Sequence, residues 1–516
     1  MKKIYFIITA LVCMATFTMQ AADWYPANVV KVTPDAGGIP PSEGNGALRS
    51  ALAEHGSAIY ELQRGGVYYV NKTCAFADQP AVVRAAAGEG PRPVIIPFGS
   101  GSDLFSGGAN LRFEDLYIYG VEYDGPIRRG IYRASAGTSF EFENCVFDGA
   151  AASSILRFES INGSVFEAEF YLTINACTFK NAVDYANISN ARGIDFRDSK
   201  GMHVSITNST FYSVSSQTIR YGDCAVLDFT FVNNTVFGAA SSLGIGTAEK
   251  ATVKNNIFYN LQLNGSTTPG GGSLLAISPI EYPREMVVTN NLFYREEAFD
   301  ALASASTTHF LVDNVLDNTG LTLVLSEELV VADTLKYAVN FANPPASLLP
   351  FYQYVWQNDK FNTAILPEDQ AFERREVPVN IKEGGRITGF VGDDLGAVKA
   401  YDFSYLTTSP AATAGEGGTY LGAWKPNNNS SVPSLSKNKM NCSFDAAAKQ
   451  LNIQLEEAVS VLKVAIYTAN GALVASQFVV PYGLSATYSP SGLSEGIYLY
   501  VVESPEGNGF RGKFIY

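Results

Sequence analysis

Charge is scarce in this 516-residue chain: Asp, Glu, Lys and Arg make up 17% of it, and 36 basic against 50 acidic residues leave a formal charge of -14. A nucleic-acid binder needs a basic stripe to replace phosphate counterions, and this balance argues against that class. Beyond the first two dozen residues no run reaches about 18 uninterrupted apolar residues, the length a membrane-spanning helix needs, so the chain reads as lacking a transmembrane span once its leader is removed. Lysine is too sparse and glycine, at 46 residues, too frequent for a helical bundle, while a hydrophobic share of 47% is too high for disorder. Tryptophan occurs 3 times against 32 phenylalanines. An excess of Phe in so Gly-rich a chain points to an all-β protein in which one position is refilled repeatedly. The length alone allows two to four folded units.

The N-terminus reads as a leader. Lys2 and Lys3 precede an apolar run from Ile4 to Val12, and the small residues Ala21 and Ala22 come before a polar start at Asp23. This is the anatomy of a secretory signal peptide, residues 1–22. Its removal leaves Cys74, Cys145, Cys177, Cys224 and Cys442, an odd number without metal-ligand spacing, which read as buried small hydrophobes.

A short phrase recurs through the middle of the chain: FENCVF ending at Phe147, INACTF at Phe179, ITNSTF at Phe211, VNNTVF at Phe237, VKNNIF at Phe258 and VTNNLF at Phe293. The spacing varies from 21 to 35 residues, looser than a helical repeat allows. Apolar and polar residues alternate in each phrase, so each is a short strand followed by a tight Asn-capped bend. A second pattern, ILRFES, GIDFRDS, TIRYGD and LGIGTAE, alternates with the first. Two strand types in alternation at variable spacing predict a parallel β-helix, whose outer loops lengthen without disturbing the stack. Asn208, Asn234, Asn255 and Asn290 are expected to form one internal ladder. The six Phe residues are expected to stack in the lumen, and Cys145 and Cys177 to lie at equivalent positions on neighbouring rungs.

Ala47–His55 (ALRSALAEH) reads as a short amphipathic helix capping the solenoid, with strand-like AIYELQRGGVYYV after it. This start, with Ser409 to Trp424 as a closing segment, resembles pectate-lyase-like right-handed parallel β-helix proteins: secreted bacterial domains of unknown function, distantly similar to polysaccharide lyase family six. The resemblance covers residues 47–425. The expected organisation is a β-helix with caps over 23–425 (rungs about 110–320, C-terminal cap about 320–425), a linker at 426–433, and a small β-sandwich over 434–516. That last segment carries VAIYTANGALV, GLSEGIYLYVV and a terminal GKFIY. It resembles the C-terminal sorting domain of the type IX secretion system, which implies that machinery as a partner and an exported protein, secreted or on the outer cell surface.

The resemblance implies polysaccharide as the other partner, and two chemistries are relevant. Hydrolysis of the polygalacturonase kind needs an Asn-Thr-Asp, an Asp-Asp pair, a Gly-His-Gly and an Arg-Ile-Lys; the sequence lacks all but an Asp-Asp, at Asp393-Asp394, which does not make that set alone. Elimination from a uronate needs a cation, Ca²⁺ or Arg, on the sugar carboxylate and a base for the proton beside it. Arg157, Arg197 and Arg220, with Glu159, Asp198 and Asp223 nearby, sit in the second strand pattern. Ile219-Arg220-Tyr221-Gly222 is similar to the Arg-His-Gly segment of the family-six lyases, which implies a catalytic role for Arg220, with Tyr221 in the His position. Arg157, Arg197, Arg220 and Tyr221 are therefore the candidate substrate-binding residues. The same arginines equally suit a solvent-exposed salt-bridge ladder of low stabilising value. Tyr68, Tyr69, Tyr117, Tyr119 and Tyr123 are candidates for stacking on sugar faces, and His203 reads as structural. Two functions follow: a polysaccharide-active protein, a lyase on an acidic glycan, or a non-catalytic glycan-binding or adhesin-like surface protein.

Overall fold

The computed structural model describes most of residues 24–357, then 401–427 and 440–516; the longest internal stretches outside that description are 121–129, 162–168, 183–189 and 317–324. Residues 1–22, most of the linker and Tyr123 also lie outside it. The chain divides into two compact units, residues 1–428 and 429–516.

The first unit is a parallel β-helix. Three sheets build it: sheet A of eleven strands, sheet B of nine and sheet C of six, the last ending at Ile219–Gly222, after which Leu243–Gly246 and Leu275–Ile277 pair in a separate two-stranded sheet. Each turn of chain lays one strand in each sheet. Ser154–Glu159 of sheet C is followed by Phe170–Asn175 of sheet A and Thr178–Ala182 of sheet B, and then by Arg192–Arg197 back in sheet C. Parallel pairing already begins at Val29–Val32, which pairs with Ile59–Leu62. The helix Ala47–His55 lies between these two strands in the sequence and buries Leu48 and Leu52, four residues apart on one face. Asp35 fixes its start by accepting hydrogen bonds from the amides of Ala47 (2.9 Å) and Tyr69 (2.6 Å). Gly46 precedes the helix because any Cβ there would lie 1.7 Å from the Tyr69 carbonyl oxygen.

The lumen is built from aligned side chains. Phe147, Phe179 and Phe211 occupy one column of sheet B, with rings 5.0 and 4.8 Å apart, and Phe258 and Phe293 continue it at 4.7 Å. Phe237 departs from expectation. Val236 takes the column position opposite Phe211, and Phe237 faces outward opposite Tyr212. The gap is filled from sheet A by Phe231, 6.1 Å from Phe211 and 6.0 Å from Phe258.

The Asn ladder is also shifted by one residue for three of its four members. Asn208, Asn255 and Asn290 have positive φ (51°, 58° and 55°) and make the bend between sheets A and B, a conformation Asn tolerates better than most residues. The buried ladder is Asn234, Asn256 and Asn291. The amides of Ser209, Asn234 and Asn256 donate to the side-chain oxygens of Asn234, Asn256 and Asn291 in turn (2.8, 2.7 and 3.1 Å). Earlier rungs fill the same position with Cys145, Cys177 and Ser209: the Cys145 amide donates to Cys177 Sγ at 3.4 Å and the Cys177 amide to Ser209 Oγ at 3.1 Å. All five described cysteines are free and buried.

Residues 335–343 and 401–427 lie along the outer side of sheet B. Phe341–Asn343 pairs antiparallel with Asp402–Tyr405, and Phe341, Phe403, Tyr405 and Leu421 form a second core with Tyr212, Phe237, Ile257 and Leu292. The closing segment Ser409 to Trp424 is bound rung by rung: the amide of Gly422 donates to the Asn255 carbonyl (2.8 Å), that of Ala423 to Thr235 Oγ1 (3.0 Å), and Trp424 Nε1 to Thr210 Oγ1 (2.8 Å).

The second unit is a small antiparallel β-sandwich of a three-stranded and a four-stranded sheet. Its core holds Leu451, Ile453, Val464, Ile466, Tyr500 and Val502.

Candidate functional site

Sheet C carries the residues singled out in the sequence. Strict in–out alternation along its strands puts Leu156, Ile194 and Ile219 in one inward row, and Arg133, Arg157, Asp195 and Arg220 in the outward row beside it, one residue per rung. Two positions further along, Glu159 pairs in register with Arg197. Three of the four expected site residues are thereby brought together: Arg157, Arg197 and Arg220.

Asp195 organises them. Its side chain has no exposed surface, and it pairs with Arg197 Nε at 2.8 Å, Arg220 at 3.0 Å and Arg192, at the start of its own strand, at 3.8 Å. Ser154 Oγ completes its shell at 3.2 Å. Glu159 holds Arg157 at 2.7 Å and Arg133 at 2.6 Å. The strand rows therefore place five guanidinium groups around two carboxylates. Sheet A offers a contrast: there Arg84 pairs with Glu61, and Arg112 with Glu114 and Glu141, so acids equal or outnumber bases. Asp198 and Asp223 are exposed residues at positive φ (47° and 52°) at the strand ends.

Tyr221 does not join the arginines. Its ring stacks on Phe196 at 4.8 Å and 7°, continuing an inward column from Phe158. Burial raises its phenol well above the usual range, and the hydroxyl has no hydrogen-bond partner. Arg192 moves the other way: burial, and then the adjacent Arg220, Arg197 and Arg157, pull it down to about 10 against the opposing attraction of Asp195.

No family model matches this chain, and no curated protein matches it. Among solved structures it is similar to the tailspike protein gp49 from Acinetobacter baumannii bacteriophage Fri1, a capsular polysaccharide depolymerase. The identity is 7%, over 95% of this chain and 80% of that one, and the TM-score is 0.26.

The arginine cluster of sheet C does not fit a calcium ion, which takes six to eight oxygen ligands. Both carboxylates are already occupied by guanidiniums, and among the described residues no group of three His, Cys, Asp or Glu is placed to hold a metal. His203 lies elsewhere, on sheet A, stacked on Tyr171 (4.6 Å) with Nδ1 2.6 Å from Asp228 and Nε2 3.2 Å from Glu169. Tyr68, Tyr69, Tyr117 and Tyr119 are buried and offer no open ring face.

Sequence reading alone passes over Arg133, Arg192 and Asp195. Arg133 had a usable signal, since GIYRAS repeats the apolar-Arg-apolar alternation of ILRFES one rung earlier. Asp195 had less, because nothing in GIDFRDS distinguishes a buried hub from a second surface acid.

Proposed function

We propose that the β-helix unit binds an anionic polysaccharide lengthwise along sheet C. The observation that carries this reading is the outward row of Arg133, Arg157 and Arg220, interrupted on one rung by the buried Asp195, with Arg192 and Arg197 beside it; among the described residues Asp195 and Glu159 pair with them. Rungs repeat every ~4.8 Å, so the guanidinium groups are held at multiples of that spacing along the sheet, facing a polymer of periodic charge. Local charge of this kind outweighs a net charge of the opposite sign on the whole chain.

Binding is favoured over turnover because Tyr221, the residue in the position of the family-six His, is turned into the lumen and held protonated. The alternative lyase reading would draw on the guanidinium cluster around Arg192, which is crowded by Arg157, Arg197 and Arg220.

The test is gel retardation with polygalacturonate, alginate and a neutral glucan, with ultraviolet absorbance followed in parallel for an unsaturated product. Retardation by the anionic polymers, weakened by salt and lost in Arg133→Gln/Arg220→Gln, is expected. Equal migration in anionic and neutral gels would overturn the proposal, and an absorbance gain lost in Arg192→Lys would replace it with the lyase.

For the second unit the resemblance to a type IX sorting domain, together with its sandwich form, supports export to the cell surface or beyond. Deleting residues 434–516 should strand the protein in the periplasm; undiminished surface delivery refutes that role.

A further inference from the structure

A second recess lies away from the arginine face, on sheet B, where the flanking segment 401–427 leaves the strands. It encloses about 380 Å³, within the range of about 300–1,000 Å³ that small-molecule sites occupy. Its composition is unlike a packing gap. Tyr212, Tyr401 and Trp424 supply aromatic surface, and Thr178, Thr210 and Asn208 supply hydroxyl and amide groups. Arg92, Lys180 and Lys425 bring three basic side chains, the first two paired with Asp115 and Asp148 outside the lining, and no carboxylate stands among the described lining residues.

The floor is fixed. Lys180, 5% exposed, pairs with the fully buried Asp148 at 3.1 Å. Asp148 also accepts from the Tyr117 hydroxyl at 2.5 Å and the Asn181 amide at 2.7 Å. Arg92 is braced by Asp115 and Asn144 (3.0 and 2.7 Å). Trp424 is held by its indole N–H on Thr210 at 2.8 Å. Groups held this way need no reordering when a ligand arrives, which favours binding. Lys425 at the rim is exposed.

We propose that this recess is a binding site for a short acidic sugar, a uronate-bearing mono- or disaccharide, separate from the polymer-binding face of sheet C. A pyranose offers a C–H face to the aromatic rings and hydroxyls to the Thr and Asn side chains, while the cations select a carboxylate over a neutral ring. Lys180 stays charged: burial alone would lower it, but Asp148 and Tyr117 together raise it well above its usual value. It serves as a fixed cation there, not as a base.

The experiment follows tryptophan emission of the full chain during titration with digalacturonate and, separately, its uncharged dimethyl ester, with equilibrium dialysis alongside. A saturable change with the acid is expected, about tenfold or more weaker with the ester. Thr178→Phe, which fills the recess from a half-buried strand position, should abolish binding. The exposed Lys425→Glu, which leaves the packing untouched, should weaken it about tenfold. Trp424→Phe should remove the optical signal, and Arg133→Gln/Arg220→Gln should leave the titration unchanged, so this site and the sheet C face fail separately. Equal binding of acid and ester, no binding by either method, or a titration unaffected by Lys425→Glu overturns the proposal.

Discussion

Arg220 and Asp195 stand side by side on adjacent rungs, 3.0 Å apart, and Asp195 is wholly removed from water. A carboxylate so placed would be costly if alone, and it is tolerated because Arg197 and Ser154 satisfy its other lone pairs. The consequence for binding is geometric. Asp195 draws three guanidiniums into fixed positions while neutralising only one of them, so the face keeps its positive surplus and the arginines lose little further freedom on meeting a polymer.

Asp195→Ala should therefore destabilise the protein markedly. Removing one partner of a wholly buried pair costs about 3–5 kcal/mol. Arg197 and Arg220 keep 32% and 31% of their side-chain surface in water, so the expected loss is smaller, about 2–3 kcal/mol after discounting for solvent screening. Urea unfolding of the full chain measures it. A loss below about 0.5 kcal/mol, the scale of an ordinary surface substitution, would show that Asp195 is not the hub of the cluster.

Tyr221 gives a sharper separation of roles. Its hydroxyl is buried without a partner and its ring is stacked on Phe196. Tyr221→Phe should be neutral or stabilising, since it deletes an unsatisfied polar group and keeps the ring. Tyr221→Ala should cost about 3–5 kcal/mol, as aromatic truncations in cores do. Polymer retardation should be unchanged in the Phe variant. Loss of retardation in Tyr221→Phe would instead place the hydroxyl at the substrate.

The β-helix was legible in the sequence because its rungs repeat a two-residue alternation, and the thiol pair Cys145 and Cys177 followed from the same register. One-residue ambiguities were not legible. Where two Asn stand together, at 233–234, 255–256 and 290–291, alternation does not say which turns inward, and the structure puts the second of each pair in the ladder. At Val236-Phe237 either residue is apolar enough for the lumen. The outer side of sheet B is itself covered by a core of Phe341, Phe403 and Leu421, contributed from residues more than a hundred positions away, so Phe237 is buried facing outward. The arginine cluster was visible as residue types on equivalent strands, but its hub depended on register between rungs that a loop of variable length conceals.

The Asn233–Asn234 pair turns that ambiguity into a measurement. Asn233 has φ 57° and makes the bend. Asn234 is fully buried, accepts from the Ser209 amide at 2.8 Å and donates to the Ile206 carbonyl at 2.9 Å. Asn233→Gly should change stability by no more than about 0.5 kcal/mol, because Gly adopts positive φ freely. Asn234→Ala strands both backbone groups and should cost about 2–4 kcal/mol, from about 1–3 for each unsatisfied group with partial relaxation. Similar losses at both positions would mean that the ladder register is wrong.

Thiol chemistry tests burial along both units. Burial pushes Cys74 and Cys442 up to about 12, and Cys177 rises well above its usual value through burial and its contact with Cys145. The thiolate is the reactive species, so at pH 8 these cysteines should resist iodoacetamide in the native protein. In urea, where a thiol returns to about 8.5, they should all alkylate. The sign for stability follows from the same shift. An acid whose folded pKa is raised contributes stability that is intact below its unfolded pKa and lost as pH climbs through the folded one, so these thiols should weaken the fold progressively from about pH 8.5 towards pH 12. Replacing Cys74 and Cys442 by Ala or Val should flatten that alkaline decline in proportion, read as the urea midpoint against pH. Rapid native labelling at Cys177 at pH 8 would show that the thiol column opens to solvent, and would contradict the closed lumen built around Phe147 and Phe179.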